Sequence, residues 1–90
     1  MRTVITGIGM VTPVGLDAPS SWATLLAGGS GIAEITQFDA SELPIRVAGE
    51  VKGFDPSGLV EHKEARRLDR NVLLSIAAAD EALRDAALSM

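Results

Sequence analysis

The chain opens with VITGIGMVTPVG, residues 4–15, which joins a run of β-branched residues to a turn rich in glycine and proline. The β-branched residues ahead of Gly7 suit a strand that is covered on both faces. Gly7 and Gly9 then allow the backbone to bend where a Cβ atom would clash. The stretch therefore predicts a buried strand over residues 2–8.

The same stretch partly matches the glycine fingerprint of a dinucleotide-binding βαβ unit. That fingerprint needs a third glycine three residues after Gly9, where this chain has Thr12. Pro13 removes a backbone N–H that a phosphate would bind, and it disfavours helical geometry at Thr12. The acidic residue nearest to the ribose-binding position, Glu34, follows a glycine-rich turn instead of a clear strand end. The pattern therefore argues against a nucleotide, and we expect no cofactor.

Composition narrows the class of protein further. The 90 residues are 47% hydrophobic, carry a net charge of -4 and include no cysteine. An acidic chain whose basic residues are not interleaved with aromatic ones is a poor candidate for nucleic-acid binding. Its apolar stretches fall short of the roughly 20 residues that a membrane span requires, and its start lacks the apolar core of a signal peptide. We expect no nucleic-acid or membrane partner, and a cytosolic protein.

Local signals predict a helix that Asp17 caps and that runs to Ala27, with Trp22, Leu25 and Leu26 on one apolar face. The glycines that follow it are typical of a helix end.

The middle of the chain is predicted to contain one strand. Residues 32–44 give mixed signals, and we expect an irregular loop with Phe38 as its buried anchor. Residues 45–51 alternate apolar with polar or small side chains, as a strand with one solvated face does. Residues 55–58, DPSG, indicate a turn.

The final third is predicted to be helical from near Lys63 to near Ala87, although two helices meeting near Asp69 remain possible. Its alanines favour helix and allow close approach of a neighbouring element. The expected core face is a stripe of five residues: Leu68, Val72, Ile76, Ala79 and Leu83.

Four cations occupy the start of this helix at i, i+3, i+4 and i+7: Lys63, Arg66, Arg67 and Arg70. Cations in the first two turns oppose the helix dipole, so the cluster is a candidate for function. Nearby acidic residues allow an ordinary alternative, a solvated face of ion pairs worth roughly 0 to 1 kcal/mol each. Charge spacing alone favours that alternative. The single histidine, His62, has no convergent partners in the sequence, and we expect a solvent-facing residue and no metal site.

Five blocks of sequence, taken together, resemble the β-ketoacyl-acyl carrier protein synthases, the condensing enzymes of type II fatty acid synthesis, and their polyketide relatives. The blocks are VITGIGMVTPVG, then Trp22 with LLAGGSGI at residues 25–32, FDAS at 38–41, AGEVKGFDP at 48–56 and KEARRLDR at 63–70. They occur in the family's order and at similar spacing across nearly the whole chain.

The resemblance implies that residues 1–90 are a partial N-terminal ketosynthase domain, an incomplete part of a thiolase-like layered α/β/α/β/α fold. It implies an acyltransferase, a 3-oxoacyl-[acyl carrier protein] synthase, that acts as a homodimer. The family's cysteine nucleophile and two histidines would lie beyond residue 90, so we expect no catalytic residue in this chain and no activity from it alone. The resemblance also reverses the interpretation of the cations. Lys63, Arg66 and Arg67 match positions that dock the acidic acyl carrier protein, whereas Arg70 matches less firmly and could face inward.

Two alternatives stay open at this point. A non-catalytic partner, such as the chain-length factor of polyketide systems, would share these motifs without the nucleophile. A stand-alone module that binds carrier proteins is the other alternative, and it would unfold cooperatively as an isolated chain.

Overall fold

The computed structural model describes residues 1–88, without the side chains of His62 and Ala65. In chain order it forms helix α1 (Ala18–Leu26), strands β1 (Ile32–Glu34) and β2 (Val47–Gly49), and helices α2 (His62–Arg67) and α3 (Arg70–Asp85). The two strands are antiparallel, with Ala33 opposite Ala48. The described chain is therefore an α/β structure, as the sequence predicted, with a small two-stranded sheet.

The strand predicted over residues 2–8 is absent from the described chain, because this segment has no neighbouring strand to bond with. Helix α3 takes the place of that neighbour. The Ile8 N–H donates to Asp85 Oδ2 (3.0 Å), and the Met10 N–H donates to Glu81 Oε1 (2.8 Å). The opening segment is thus held against α3 by carboxylates.

Gly7 and Gly9 are the residues that allow this contact. A Cβ on Gly7 would overlap the carbonyl oxygen of Ala82 and lie 2.8 Å from the Cβ of Ala86. A Cβ on Gly9 would overlap the carbonyl oxygen of Ala78 and lie 2.8 Å from the Ala82 nitrogen. The expected close approach to the alanines is therefore confirmed, and the glycines make room for a helix.

Helix α1 begins as predicted at an Asp17 cap. Asp17 Oδ1 accepts from the Ser20 N–H (2.8 Å), and the Ser20 hydroxyl accepts from the Asp17 N–H (3.4 Å). The Ser20 side chain, followed by its N–H, lowers the pKa of Asp17. The Ala18 N–H at the helix start donates to Glu81 Oε2 (2.8 Å). Glu81 therefore holds both the opening segment and the start of α1.

The turn at residues 12–15 connects these parts. The Thr12 N–H donates to the Gly15 carbonyl (2.8 Å) and the Gly15 N–H donates to the Thr12 carbonyl (3.3 Å), so both N–H groups are used inside the turn. The Thr12 hydroxyl lies 2.8 Å from that of Ser21, which is 1% exposed. The Ser21 hydroxyl also donates to the Gly15 carbonyl (3.3 Å). The turn is thereby fixed to α1.

Pro13 contacts the two-stranded sheet. A Cβ on Gly31 would lie 2.5 Å from the Pro13 Cβ, and one on Gly49 would lie 3.1 Å from the Pro13 Cγ.

The sequence predicted a strand over residues 45–51 but missed β1, where three residues are too few to show alternation. The prediction that Phe38 anchors this region is wrong, because its side chain is 58% exposed; the small residue Ala40 is buried there instead.

Glu50 organises the segment that follows β1. Its carboxylate accepts from the Thr36 and Gln37 N–H groups, from the Thr36 hydroxyl (2.9 Å) and from Lys52 Nζ (2.8 Å). The Lys52 ammonium, followed by the N–H donors, lowers the pKa of Glu50 from its ordinary 4.5 to about 2. The carboxylate is thus the stable form of this residue in the folded chain.

The described chain buries little apolar surface. Its radius of gyration is 15.6 Å, whereas a compact domain of this length has about 12 Å. Leu73 and Ala40 are the hydrophobic residues that are buried, while Trp22 is 63% and Leu26 is 68% exposed.

The stripe predicted as the core face of the final third is half-buried at Leu68, Ile76 and Leu83 and exposed at Val72 and Ala79. The opening segment packs instead on the face that carries Ala78, Ala82 and Ala86.

Gly9→Ala should destabilise the protein that carries this chain by about 3 kcal/mol, because the added methyl group meets helix backbone that cannot rotate away. Gly28→Asn is the matched control. Gly28 has a positive φ of 78° with open space around it, and asparagine tolerates that conformation, so the cost should stay below about 1 kcal/mol. Urea unfolding measures both changes, and equal losses would contradict the close packing described here.

Glu50→Gln should flatten the acid dependence of stability. A folded-state pKa lowered to about 2 stabilises the fold fully above about pH 4.5, and this contribution disappears as the pH falls towards 2. Melting temperatures between pH 6 and 2.5 should therefore fall less steeply for this variant. The control is Glu42→Gln, at an exposed carboxylate outside the cluster, and it should keep the original slope. A Glu50→Gln slope equal to that of the control would oppose the assignment.

Candidate functional site

The basic segment forms its own short helix. Helix α2 ends at Arg67, and Leu68 is extended, with a ψ of 141°. Asp69 is then the N-cap of α3, since its carbonyl accepts from the Val72 and Leu73 N–H groups (3.1 and 3.2 Å). The single helix predicted from Lys63 to Ala87 is therefore wrong, and the alternative of two helices meeting near Asp69 is confirmed.

This break changes the electrostatic environment of the cations. Arg66 and Arg67 lie in the last turn of α2, where the helix dipole favours positive charge. The predicted conflict with a helix N-terminus therefore does not apply to them. Arg70 begins a different helix and no longer shares a continuous helical face with Lys63.

Lys63, Arg66 and Arg67 are exposed on α2. Two ion pairs occur among the described side chains, Lys52 with Glu50 and Arg84 with Asp80. Within that part of the chain, neither ion pair involves α2, so the solvated ion-pair face is not observed. The three cations are directed outward and are accessible to a partner.

Arg70 is used differently. Its Nη2 donates to the Val51 carbonyl (2.8 Å), and its guanidinium carbon lies 5.9 Å from the centre of the Phe54 ring. The side chain is therefore directed at a loop of its own chain, in line with its weaker match to the docking positions.

A second surface lies between the opening segment, α1 and α3. It is a groove of about 600 Å³, and its apolar walls are formed by Ile8, Met10, Trp22 and Leu25. Glu81 lies at its edge, and its role in holding the groove together was missed in the sequence, because a helical glutamate ordinarily indicates a solvated face. The apolar face predicted for α1 exists, but within the described residues it is open.

The sequence also argued against a role for His62, a metal site and a membrane span. Helix α2 begins at His62, but the prediction that its side chain faces solvent lies outside the described residues. Across the described part of the chain, no group of three or more His, Cys, Asp or Glu residues is arranged to hold a metal ion. Among the helices of residues 1–88, none is long and apolar enough to span a membrane.

Comparison with known proteins identifies the family. Residues 1–90 match the family model described as "Beta-ketoacyl synthase, N-terminal domain". The chain therefore belongs to the β-ketoacyl synthase family, as its sequence motifs indicated.

Its relatives include 3-oxoacyl-[acyl-carrier-protein] synthases and a putative polyketide beta-ketoacyl synthase. The chain is 46% identical over 89 residues to 3-oxoacyl-[acyl-carrier-protein] synthase 2 of Vibrio cholerae, a match covering 99% of this chain and 22% of the relative. It is 47% identical over 88 residues to the putative polyketide beta-ketoacyl synthase 2 of Streptomyces cyaneus, covering 98% and 21%. A solved structure, the ishigamide ketosynthase/chain length factor, is similar with a TM-score of 0.84 and 34% identity, over 96% of this chain and 21% of that one. The chain thus spans about a fifth of the length of these proteins.

Arg66→Ala and Arg67→Ala should each change the free energy of unfolding by less than about 0.5 kcal/mol, because exposed side chains without an observed partner contribute little to stability. Arg84→Ala, which breaks a 3.1 Å pair with Asp80, is the comparison for a cation that has a partner. Urea unfolding measures the free energy of unfolding of all three variants. A loss above about 0.5 kcal/mol at Arg66 or Arg67 that shrinks as the salt concentration rises would restore the ion-pair interpretation.

Proposed function

We propose that the chain is the N-terminal part of a 3-oxoacyl-[acyl carrier protein] synthase. Such an enzyme extends an acyl chain by decarboxylative Claisen condensation: the acyl group passes to a cysteine, and a carbanion from malonyl-carrier protein attacks it. With no cysteine among its 90 residues, this chain cannot provide the thiolate nucleophile. It contributes scaffold and a docking surface for the carrier, and the condensation requires residues outside it.

The observation that carries the docking proposal is the outward presentation of Lys63, Arg66 and Arg67 on α2. An acidic carrier helix is attracted to such a cluster by opposite charge, which raises the association rate and sets orientation more than it raises affinity. The net charge of -4 does not oppose this, because a local cluster governs local docking.

We also infer that the chain is part of a larger domain with the thiolase-like layered α/β/α/β/α fold and that the enzyme is a homodimer. Exposed apolar residues of the opening segment and of α1 support this inference, since further sheet and helix layers would cover them. Ile5 is 83% and Trp22 is 63% exposed, which a stand-alone module would not tolerate easily. This packing favours a domain part over the alternative of an independent carrier-binding module.

A second candidate is a non-catalytic chain-length factor. The similar solved structure pairs a ketosynthase with a chain length factor, and both kinds of protein would share these motifs. The residue at the nucleophile position of the longer protein distinguishes them, because cysteine indicates the active enzyme and its replacement indicates the silent partner.

Reversal of charge at Arg66 together with Arg67, made in the longer enzyme, should raise the KM for an acyl-carrier substrate at least roughly tenfold more than the KM for a small soluble acyl thioester. The reason is that the carrier contacts α2, whereas the small thioester does not. Steady-state kinetics with both substrates measures the difference. Arg2→Glu with Arg84→Glu, which makes the same change in net charge elsewhere, should not discriminate between them. Equal losses on both substrates from the Arg66 and Arg67 reversal would remove the docking proposal.

A further inference from the structure

We propose that Arg70 is a positioning residue that fixes the orientation of α2, and with it the direction of Lys63, Arg66 and Arg67. This inference rests on the docking function proposed above. It separates the four cations of the basic segment into three that meet a partner and one that holds the helix carrying them.

Helix α2 needs such support because it has little of its own. It is six residues long, and its N-cap residue, Glu61, makes no side-chain capping bond. Isolated helices of this length are not stable in water. Among the described elements, β1 and β2 are the pair in extensive contact, so α2 is not packed broadly against α1 or α3. No other described helix or strand therefore fixes its orientation, and the connection at Leu68 and Asp69, with whatever holds the start of α3, is a route by which the rest of the fold can do so.

Arg70 holds that start. As the first residue of α3 it lies directly after the connection, and its side chain spans 19 positions of sequence to reach the Val51 carbonyl. The same guanidinium lies over the Phe54 ring. The two contacts together restrain the guanidinium at two points, because it can donate a hydrogen bond to one group while it lies over an aromatic ring.

A lysine would not reproduce this arrangement. Its ammonium is a compact, strongly hydrated charge without a planar face. A cation at the first helical position also opposes the dipole of α3, so α3 itself gains nothing from it. Arg70 therefore links the connection between α2 and α3, residues 68–69, to the loop at residues 51–54.

The experiment uses the longer ketosynthase with Arg70→Lys, Arg70→Met and Phe54→Leu. We expect each to raise the KM for an acyl-carrier substrate roughly fivefold more than the KM for a small acyl thioester, because each removes the hydrogen bond to Val51, the cation–π contact with Phe54, or both. The double variant Arg70→Met with Phe54→Leu should be no worse than the worse single variant, since both remove the same link. Amide hydrogen exchange at residues 62–67 should become faster in all of them. Arg84→Met, at the other end of α3, is the control and should change neither measurement.

The outcomes separate this inference from the docking proposal. If Arg70→Lys retains carrier affinity and Phe54→Leu has no effect, Arg70 is a docking charge and the inference is overturned. Unchanged hydrogen exchange at residues 62–67 overturns it as well, whatever the kinetics. If reversal at Arg66 and Arg67 shows no preference for the carrier substrate, the docking proposal fails. Faster exchange in the Arg70 and Phe54 variants would then still support Arg70 as the residue that holds α2.

Discussion

The structure depends on the close approach of the opening backbone to helix α3. Gly7 and Gly9 lie where any side chain would overlap the carbonyl oxygens of Ala82 and Ala78. Small residues on both sides bring the two backbones close enough for Glu81 to reach the Met10 N–H. Since the same carboxylate accepts from the start of α1, the position of α1 follows from this one contact.

The turn at residues 12–15 extends this order to the rest of the chain. Thr12 is bonded to the buried Ser21 of α1, and Pro13 lies against Gly31 and Gly49 at the two-stranded sheet. Glycine and proline therefore have a packing role here, which explains why their order departs from a phosphate-binding loop. A third glycine at position 12 would remove the hydroxyl that joins the turn to α1.

Elements with local signals were predictable, and those that depend on distant partners were not. The Asp17 cap and the positive φ of Gly28 after α1 act within a few residues, and each was found from sequence. The turn chemistry predicted at residues 55–58 was found as well, since the Ser57 N–H donates to Asp55 Oδ1 (2.9 Å) and the Leu59 N–H donates to the Pro56 carbonyl (3.1 Å). The strand predicted over residues 2–8 needs a neighbour that the described chain does not provide, and β1 is too short to show a period. Phe38 was predicted as buried because aromatic residues usually are, yet it is exposed where little packs on it. At the candidate site, spacing gave the four cations but not the separate role of Arg70, which depends on a contact 19 residues away.

The division between scaffold and candidate site follows from where apolar surface lies. Helix α3 carries the face on which the opening segment packs, so substitutions there alter packing. Helix α2 carries charged residues and packs little, and it can therefore present cations outward without leaving a charge buried or unpaired inside the fold. A short helix of this kind has no rigid orientation of its own, whereas electrostatic steering needs charges held in one direction. The contacts of Arg70 with Val51 and Phe54 supply this restraint. They hold the connection at residues 68–69, next to the cations, without occupying the surface that a partner would contact.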